Sequence, residues 1–190
     1  MEAGWIILVA VIAVAAIAVA LPVAWYNKLV RLRQLIRESW GNVDVQLKRR
    51  YDLIPNLVNT VKGYAAHERD VLQAVVEARD RAAASTGPVG EQSRDEEELV
   101  RSTRRLLAVA ESYPQLRASQ NFLALQQELV NTEDRIAAAR RFYNANVRDY
   151  NVARTTFPTM LVAGLGDFPP ADFFEVDDHT ARQSPAVSMT

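Results

Sequence analysis

The sequence predicts an all-α protein, in which one N-terminal transmembrane helix precedes an up-and-down, antiparallel four-helix bundle. Three observations support this fold class. Residues 3–26 contain no charged side chain, and a run of this length crosses a bilayer as one helix. Residues 28–157 are rich in Ala, Leu, Arg, Glu and Gln, which favour helices. No window combines alternating apolar residues with β-branched enrichment, so no sheet is predicted.

The apolar N-terminal run has two interpretations, an uncleaved anchor and a cleaved signal peptide. Residues 18–20 (Ala-Val-Ala) resemble a cleavage site. A signal peptide, however, begins with a positively charged region, whereas this N-terminus offers only Glu2. The positive charge follows the run instead, starting at Lys28, which favours an anchor with its C-terminal side in the cytoplasm. We therefore expect residues 1–26 to form a transmembrane anchor.

Four amphipathic helices are predicted in the following domain, residues 27–157. Apolar residues three or four apart predict the first helix over about 27–51, continuing from the anchor. Asp52 and Pro55 indicate that a new helix begins there, because both residue types are accepted in a first turn. The other helices are predicted at 55–84, from 93 or 95 to 113, and at 115–155, where a heptad-like seam runs along the helix. Such helices with short connections form a bundle.

The chain from residue 158 to 190 is predicted to be an irregular tail that is acidic and aromatic. Prolines in this segment stop the preceding helix and prevent a new one. Its end has the composition of a disordered terminus. Three aromatic side chains are expected to dock on the bundle or on a partner: Phe168, Phe173 and Phe174.

Composition excludes several classes of chemistry. The absence of cysteine excludes disulfides, thiol catalysis and Cys-ligated metals. The formal net charge of −1 gives no overall basic field for nucleic acid. His67 lacks a second histidine one turn on, because position 71 is Val, so a zinc site is not predicted, and His179 lies in the acidic tail. We expect no cofactor, no small-molecule substrate and no enzymatic activity. An unrecognised enzyme is kept as the third functional hypothesis.

Positive charge is concentrated just after the anchor. Contact with anionic lipid headgroups is one interpretation of this charge. Solvated helix faces that also set the membrane topology are the other, and the sequence leaves both open. The candidate lipid-facing residues are Lys28, Arg31, Arg33, Arg37, Lys48, Arg49 and Arg50.

Two aromatic–amide pairs recur on the last predicted helix. Tyr143-Asn144 and Tyr150-Asn151 are seven residues apart, so they lie on similar faces. One interpretation is a polar ladder that fixes helix register or receives a partner. The simpler alternative, which we favour at this point, is core tyrosines whose hydroxyls reach water.

Two long segments resemble the LemA family of bacterial membrane proteins. Residues 26–68 include VDVQLKRRYDLIPNLV, and residues 112–151 read SYPQLRASQNFLALQQELVNTEDRIAAARRFYNANVRDYN. The pairs Phe157-Pro158 and Phe173-Phe174 also fit the pattern of the family. The resemblance implies a single-pass protein of the bacterial inner membrane, with a short N-terminus outside and a helical domain in the cytoplasm.

The resemblance does not imply a reaction, because the biochemical role of the family is poorly defined and no catalytic residues are agreed. Some members are linked to envelope stress or to the organisation of internal membranes. We therefore expect a non-enzymatic scaffold whose partners are the lipid bilayer, a second copy of the chain or another membrane protein. The second hypothesis is that the basic helix binds or remodels anionic membrane, or acts in envelope stress.

Overall fold

A computed structural model describes residues 2–175, and all regular elements in this range are helices. The predicted all-α class is confirmed. The expected disordered end and His179 lie outside the described residues. The helices are α1 (Glu2–Lys62), α2 (Arg69–Ala84), α3 (Val89–Glu111), α4 (Pro114–Arg117), α5 (Gln120–Thr155) and α6 (Thr159–Leu165).

The first part of α1 is the apolar segment that the sequence predicts as an anchor. Every side chain from Gly4 to Ala24 is exposed, and the protein buries none of the most apolar window. Within residues 2–175, α1 is the one helix long and apolar enough to cross a membrane. Apolar surface of this extent requires a non-aqueous environment.

The structure corrects the predicted end of the first helix after the anchor. α1 continues through Pro55 to Lys62, and the break falls at residues 63–68 instead. Pro55 lacks the N–H that would bond to the carbonyl of Tyr51, four residues earlier. The Nε of Arg79, on α2, donates to that carbonyl oxygen at 3.2 Å. A side chain therefore replaces the hydrogen bond that the proline removes.

Three other boundaries also differ from those predicted. α3 begins at Val89, inside a segment expected to be a loop. The helix predicted over 115–155 is divided into α4 and α5 by a turn at residues 118–119. The tail is not wholly irregular, because the apolar run that starts at Thr159 forms α6.

The contact pattern divides the chain into two units. Unit one comprises residues 1–43 and 139–172, and unit two comprises residues 44–138 and 173–190. This division differs from the predicted segments 1–26, 27–157 and 158–190. Those boundaries, and the antiparallel order of the bundle, stay predictions.

Each unit has its own buried core. In unit one, Leu29 of α1 packs in a cluster with Tyr150 and Ala153 of α5 and with Phe168. Unit two has a larger core, to which α1 to α5 all contribute. Its members include Leu57, Val61, Val75, Leu99, Leu106, Leu116, Phe122 and Leu129.

The bond from Arg79 to the carbonyl of Tyr51 generates a test of the helix through Pro55. Arg79→Ala should lower the free energy of unfolding by about 1 kcal/mol, because that partly buried carbonyl loses its donor. In a Pro55→Ala background the same substitution should cost less, since alanine restores the helical N–H. A double-mutant cycle by chemical denaturation of the detergent-solubilised full chain measures the difference.

Asp80→Ala is the matched control, because it removes only the exposed ion pair of Arg79. Exposed pairs contribute little to stability. Equal costs of Arg79→Ala in the two backgrounds would contradict the proposed replacement.

Candidate functional site

The segment that follows α6 is held against α5 in unit one. We call residues 166–172, which follow α6, the strap. The side-chain Nδ2 of Asn151 donates to the carbonyl oxygen of Ala171 at 2.8 Å. The Oδ1 of Asn151 accepts a hydrogen bond from the N–H of Ala171 at 3.0 Å. One amide side chain thus satisfies both backbone groups of Ala171, as a neighbouring strand would.

The two ladder tyrosines bind other carbonyls of the strap. The hydroxyl of Tyr150 donates to Pro169 at 2.8 Å, and the hydroxyl of Tyr143 donates to Asp172 at 2.9 Å. Both rings are buried, as the simpler interpretation expected, but their hydroxyls bind backbone of the same chain. The remaining ladder residue, Asn144, is partly buried.

Phe168 is the apolar contact of the strap. Its ring is buried and meets Tyr26 edge-on, with 5.5 Å between the ring centroids. The guanidinium carbon of Arg33 lies 4.5 Å from the Phe168 centroid, a cation–π geometry. Arg33 also donates to the carbonyl of Asp167. The strap is therefore fastened at both ends, by Arg33 on α1 and by the ladder on α5.

The other two tail aromatics belong to unit two. Phe174 is fully buried. Phe173 is exposed and borders a cavity that Gly90 and Arg94 of α3 also line. Of the three predicted docking residues, the structure thus buries Phe168 and Phe174 and leaves Phe173 at the surface.

The seven basic residues do not form one surface. Arg33 binds the strap, and Arg49 forms an ion pair with Glu128. Arg50 is 3% exposed and cannot reach lipid headgroups, so the structure corrects its assignment as a lipid-facing candidate. The exposed members of the set are Lys28, Arg31, Arg37 and Lys48.

Arg50 lies in a buried polar cluster of unit two. Its Nη2 binds Glu96, and its Nη1 lies 3.0 Å from both carboxylate oxygens of Glu133. The hydroxyl of Tyr51 donates to the other oxygen of Glu96. Removing one member of the cluster would leave another charge buried without its partner, which is strongly destabilising.

The pKa values of the cluster reflect both burial and pairing. Burial acts against the charge of Arg50, but the carboxylates of Glu133 and Glu96 outweigh it and raise the pKa of Arg50. Burial raises the pKa of Glu96 although Arg50 opposes this shift. Burial, together with the charge of Glu96, also raises the pKa of Tyr51. No short-range motif connects Arg50 with Glu96, so sequence inspection missed this cluster.

Residues 2–175 contain no candidate metal site, because no group of three His, Asp or Glu side chains lies close enough together to bind an ion. His67 is exposed in the turn between α1 and α2. The expected absence of a cofactor stays a prediction.

Most of the chain matches a known protein family. The model of the LemA family matches residues 39–189. The chain belongs to the LemA family. The predicted resemblance is thus confirmed over a region that includes the ladder, the strap and the buried cluster. The exposed apolar segment of α1, which is long enough to cross a bilayer, indicates that this LemA-family chain is a membrane protein.

Two relatives illustrate the range of the family. The magnetosome protein MamQ of Magnetospirillum gryphiswaldense is 25% identical over a gapped alignment of 191 positions, which covers 86% of this chain and 68% of the relative. Protein LemA of Metamycoplasma hominis is 27% identical over a gapped alignment of 157 positions, which covers 80% of this chain and 69% of the relative. Neither name describes a reaction.

The paired hydrogen bonds of Asn151 generate a test of the strap. Asn151→Ala should destabilise the strap on unit one by about 2 kcal/mol, because two hydrogen bonds are lost. Amide hydrogen exchange of the full chain should show faster exchange at Ala171. Asn131→Ala is the control, since Asn131 is exposed on the same helix and should change stability by less than about 0.5 kcal/mol. Unchanged exchange at Ala171 would disprove this role of Asn151.

The hydroxyl of Tyr143 gives the strap a dependence on alkaline pH. Burial, with a smaller effect from Asp172, raises the pKa of Tyr143 to about 12, above the ordinary 10.0. A raised pKa means that the stabilisation is complete below pH 10 and is lost as the pH rises to about 12. Tyr143→Phe should therefore be less stable than the natural chain below pH 10, by about 1 kcal/mol. This deficit should narrow towards pH 12 in denaturation experiments, and a constant deficit would contradict the assignment.

Proposed function

We propose that this LemA-family chain is a non-enzymatic scaffold of the bacterial inner membrane, whose cytoplasmic helical domain self-associates or binds another membrane protein. The observation that carries the proposal is the continuity of α1. One unbroken helix contains the exposed apolar segment 4–24 and the core residue Leu29 of unit one. An anchor without a flexible linker keeps unit one beside the bilayer. The predicted up-and-down four-helix arrangement is part of this proposal.

Charge supports the proposed orientation. Lys28, Arg31 and Arg37 are exposed shortly after the apolar segment, and cationic residues next to a span favour the cytoplasmic side. The segment before the span offers only Glu2. This orientation places the short N-terminus outside and the helical domain inside.

The use of the polar side chains supports a structural role. Glu96 and Tyr51, whose pKa values are raised, both lie in the buried cluster. Glu96 binds Arg50, and the hydroxyl of Tyr51 donates to Glu96. The ladder residues Tyr143 and Asn151 bind the strap. These side chains hold segments of the chain together, so their arrangement favours a scaffold over a catalyst.

A second candidate function is the binding of anionic lipid by the basic part of α1. The exposure of Lys28, Arg31 and Arg37 favours it, because each cation near an anionic surface contributes about 1 kcal/mol. Lipid attraction of this kind weakens as salt screens it. Association through apolar protein surface is not weakened in this way.

A surface on α5 in unit two suits self-association. Leu123 and Val130 are seven residues apart and exposed, so they lie on one face of the helix. Leu123 also borders a cavity of about 480 Å³ that Leu107 and Phe122 line. A second copy that presents the same apolar face would cover these side chains.

Cysteine cross-linking tests self-association, because the natural chain has no cysteine. In native membranes, Leu123→Cys and Val130→Cys should form disulfide-linked dimers under mild oxidation. Arg135→Cys, exposed on another face of α5, is the control and should give several-fold less dimer. Dimers of equal yield at all three positions would exclude this face. If chemical cross-linking also recovers neither a second copy nor a partner, the scaffold proposal fails.

A further inference from the structure

Large apolar side chains are exposed on α6 and just before it. Leu165 is 93% exposed, Phe157 is 73% exposed and Leu161 is 54% exposed. Leu161 and Leu165 are four residues apart, so they project from one side of the helix. Residues 155–166 contain no charged side chain. Single exposed apolar residues are common, but a group of this size in an uncharged run indicates a contact surface.

The other side of α6 packs against the core of unit one. Val162 and Ala163 pack against the cluster that contains Leu29 and Phe168. The hydroxyl of Thr159 donates to the carbonyl of Ala153 on α5. The exposed side chains therefore occupy a fixed position on the surface of unit one.

This position lies next to the point where α1 leaves the apolar segment. Phe157 and Trp25 line the same cavity, of about 490 Å³. Tyr26 contacts Phe168, in the strap that follows α6. Leu29, three residues further along α1, belongs to the cluster that supports α6. Aromatic residues such as Trp25 prefer the headgroup region of a bilayer, so the geometry brings α6 to that depth.

The charge around this surface suits an anionic membrane. The parts of unit one after the anchor, residues 27–43 and 139–172, contain eight Lys/Arg and four Asp/Glu, a formal net charge of +4. The whole chain has a net charge of −1. Lys28 and Arg148 line the same cavity as Phe157, with Asp149 as its acidic member. Cations beside apolar side chains match headgroup phosphates above acyl chains.

We propose that Phe157, Leu161 and Leu165 form a second membrane contact. These side chains enter the boundary between headgroups and acyl chains in the leaflet from which α1 emerges, about 5–10 Å deep. Lys28 and Arg148 lie against the anionic phosphates. The proposal rests on the membrane anchoring proposed above and extends it: a second contact restrains the tilt and rotation of α1, which a single helix leaves free.

The test uses single-cysteine variants of the full chain, reconstituted in vesicles of zwitterionic lipid and phosphatidylglycerol. A polarity-sensitive fluorophore is attached at Leu161→Cys or Leu165→Cys. Val11→Cys, in the apolar segment, is the buried control. Val45→Cys is the aqueous control, because Val45 is exposed on α1 about 28 Å beyond Tyr26 along the helix axis. Quenching is measured with spin-labelled lipid and with iodide.

At positions 161 and 165 we expect lipid quenching several-fold stronger, and iodide quenching several-fold weaker, than at Val45. Quenching by iodide alone, as at Val45, would overturn the proposal. Protection from both quenchers would also overturn it, because a protein partner would then cover the surface. Failure at Val11 would reject the anchor itself, so the two proposals are tested separately.

Discussion

The exposed apolar segment at the start of α1 is the constraint on which the rest of the structure depends. Side chains 4–24 have no cover in the protein, and a helix is the element that satisfies its own backbone in lipid. Because α1 continues without a break to Lys62, no flexible linker separates the anchor from the folded chain. Leu29 is already a core residue. Unit one is thus built around the base of its own anchor.

The strap packs on unit one through contacts that its own sequence explains. Pro169 and Pro170 prevent a helix and have no N–H to satisfy. The segment therefore presents carbonyl groups that need donors, and the hydroxyls of Tyr143 and Tyr150 supply them. Asn151 bonds both polar groups of Ala171. Side chains on α5 thus provide the hydrogen bonds that a neighbouring strand would provide, although the regular elements of residues 2–175 are all helices.

Polar contacts between distant residues also join the helices of unit two. The cluster of Arg50, Glu96 and Glu133 joins α1, α3 and α5. Desolvation offsets much of the attraction in a buried ion pair, so the cluster adds little net stability, whereas the loss of one partner would leave the other charge buried and unpaired. The bond from Arg79 to the carbonyl of Tyr51 has a related role: it lets α1 continue through Pro55.

The sequence by itself determined the features that depend on local pattern. The uncharged run of residues 3–26 indicates the anchor, and helix-forming composition indicates the all-α class. Long sequence segments that resemble the LemA family indicate membership of that family. The seven-residue spacing of Tyr143 and Tyr150 placed both on one face of α5, but it did not show what they bind.

Tertiary structure alone decided the rest. Arg50 looks like its basic neighbours in the sequence, and it is buried because Glu96 and Glu133, both far along the chain, pair with its charge. Pro55 looks like a helix start until Arg79 supplies the missing donor. The run Thr159–Leu165 becomes a helix with one supported and one exposed side because unit one offers it a surface. Periodicity reports the environment of a residue within its own helix, whereas burial and hydrogen-bond partners depend on which distant segments meet it.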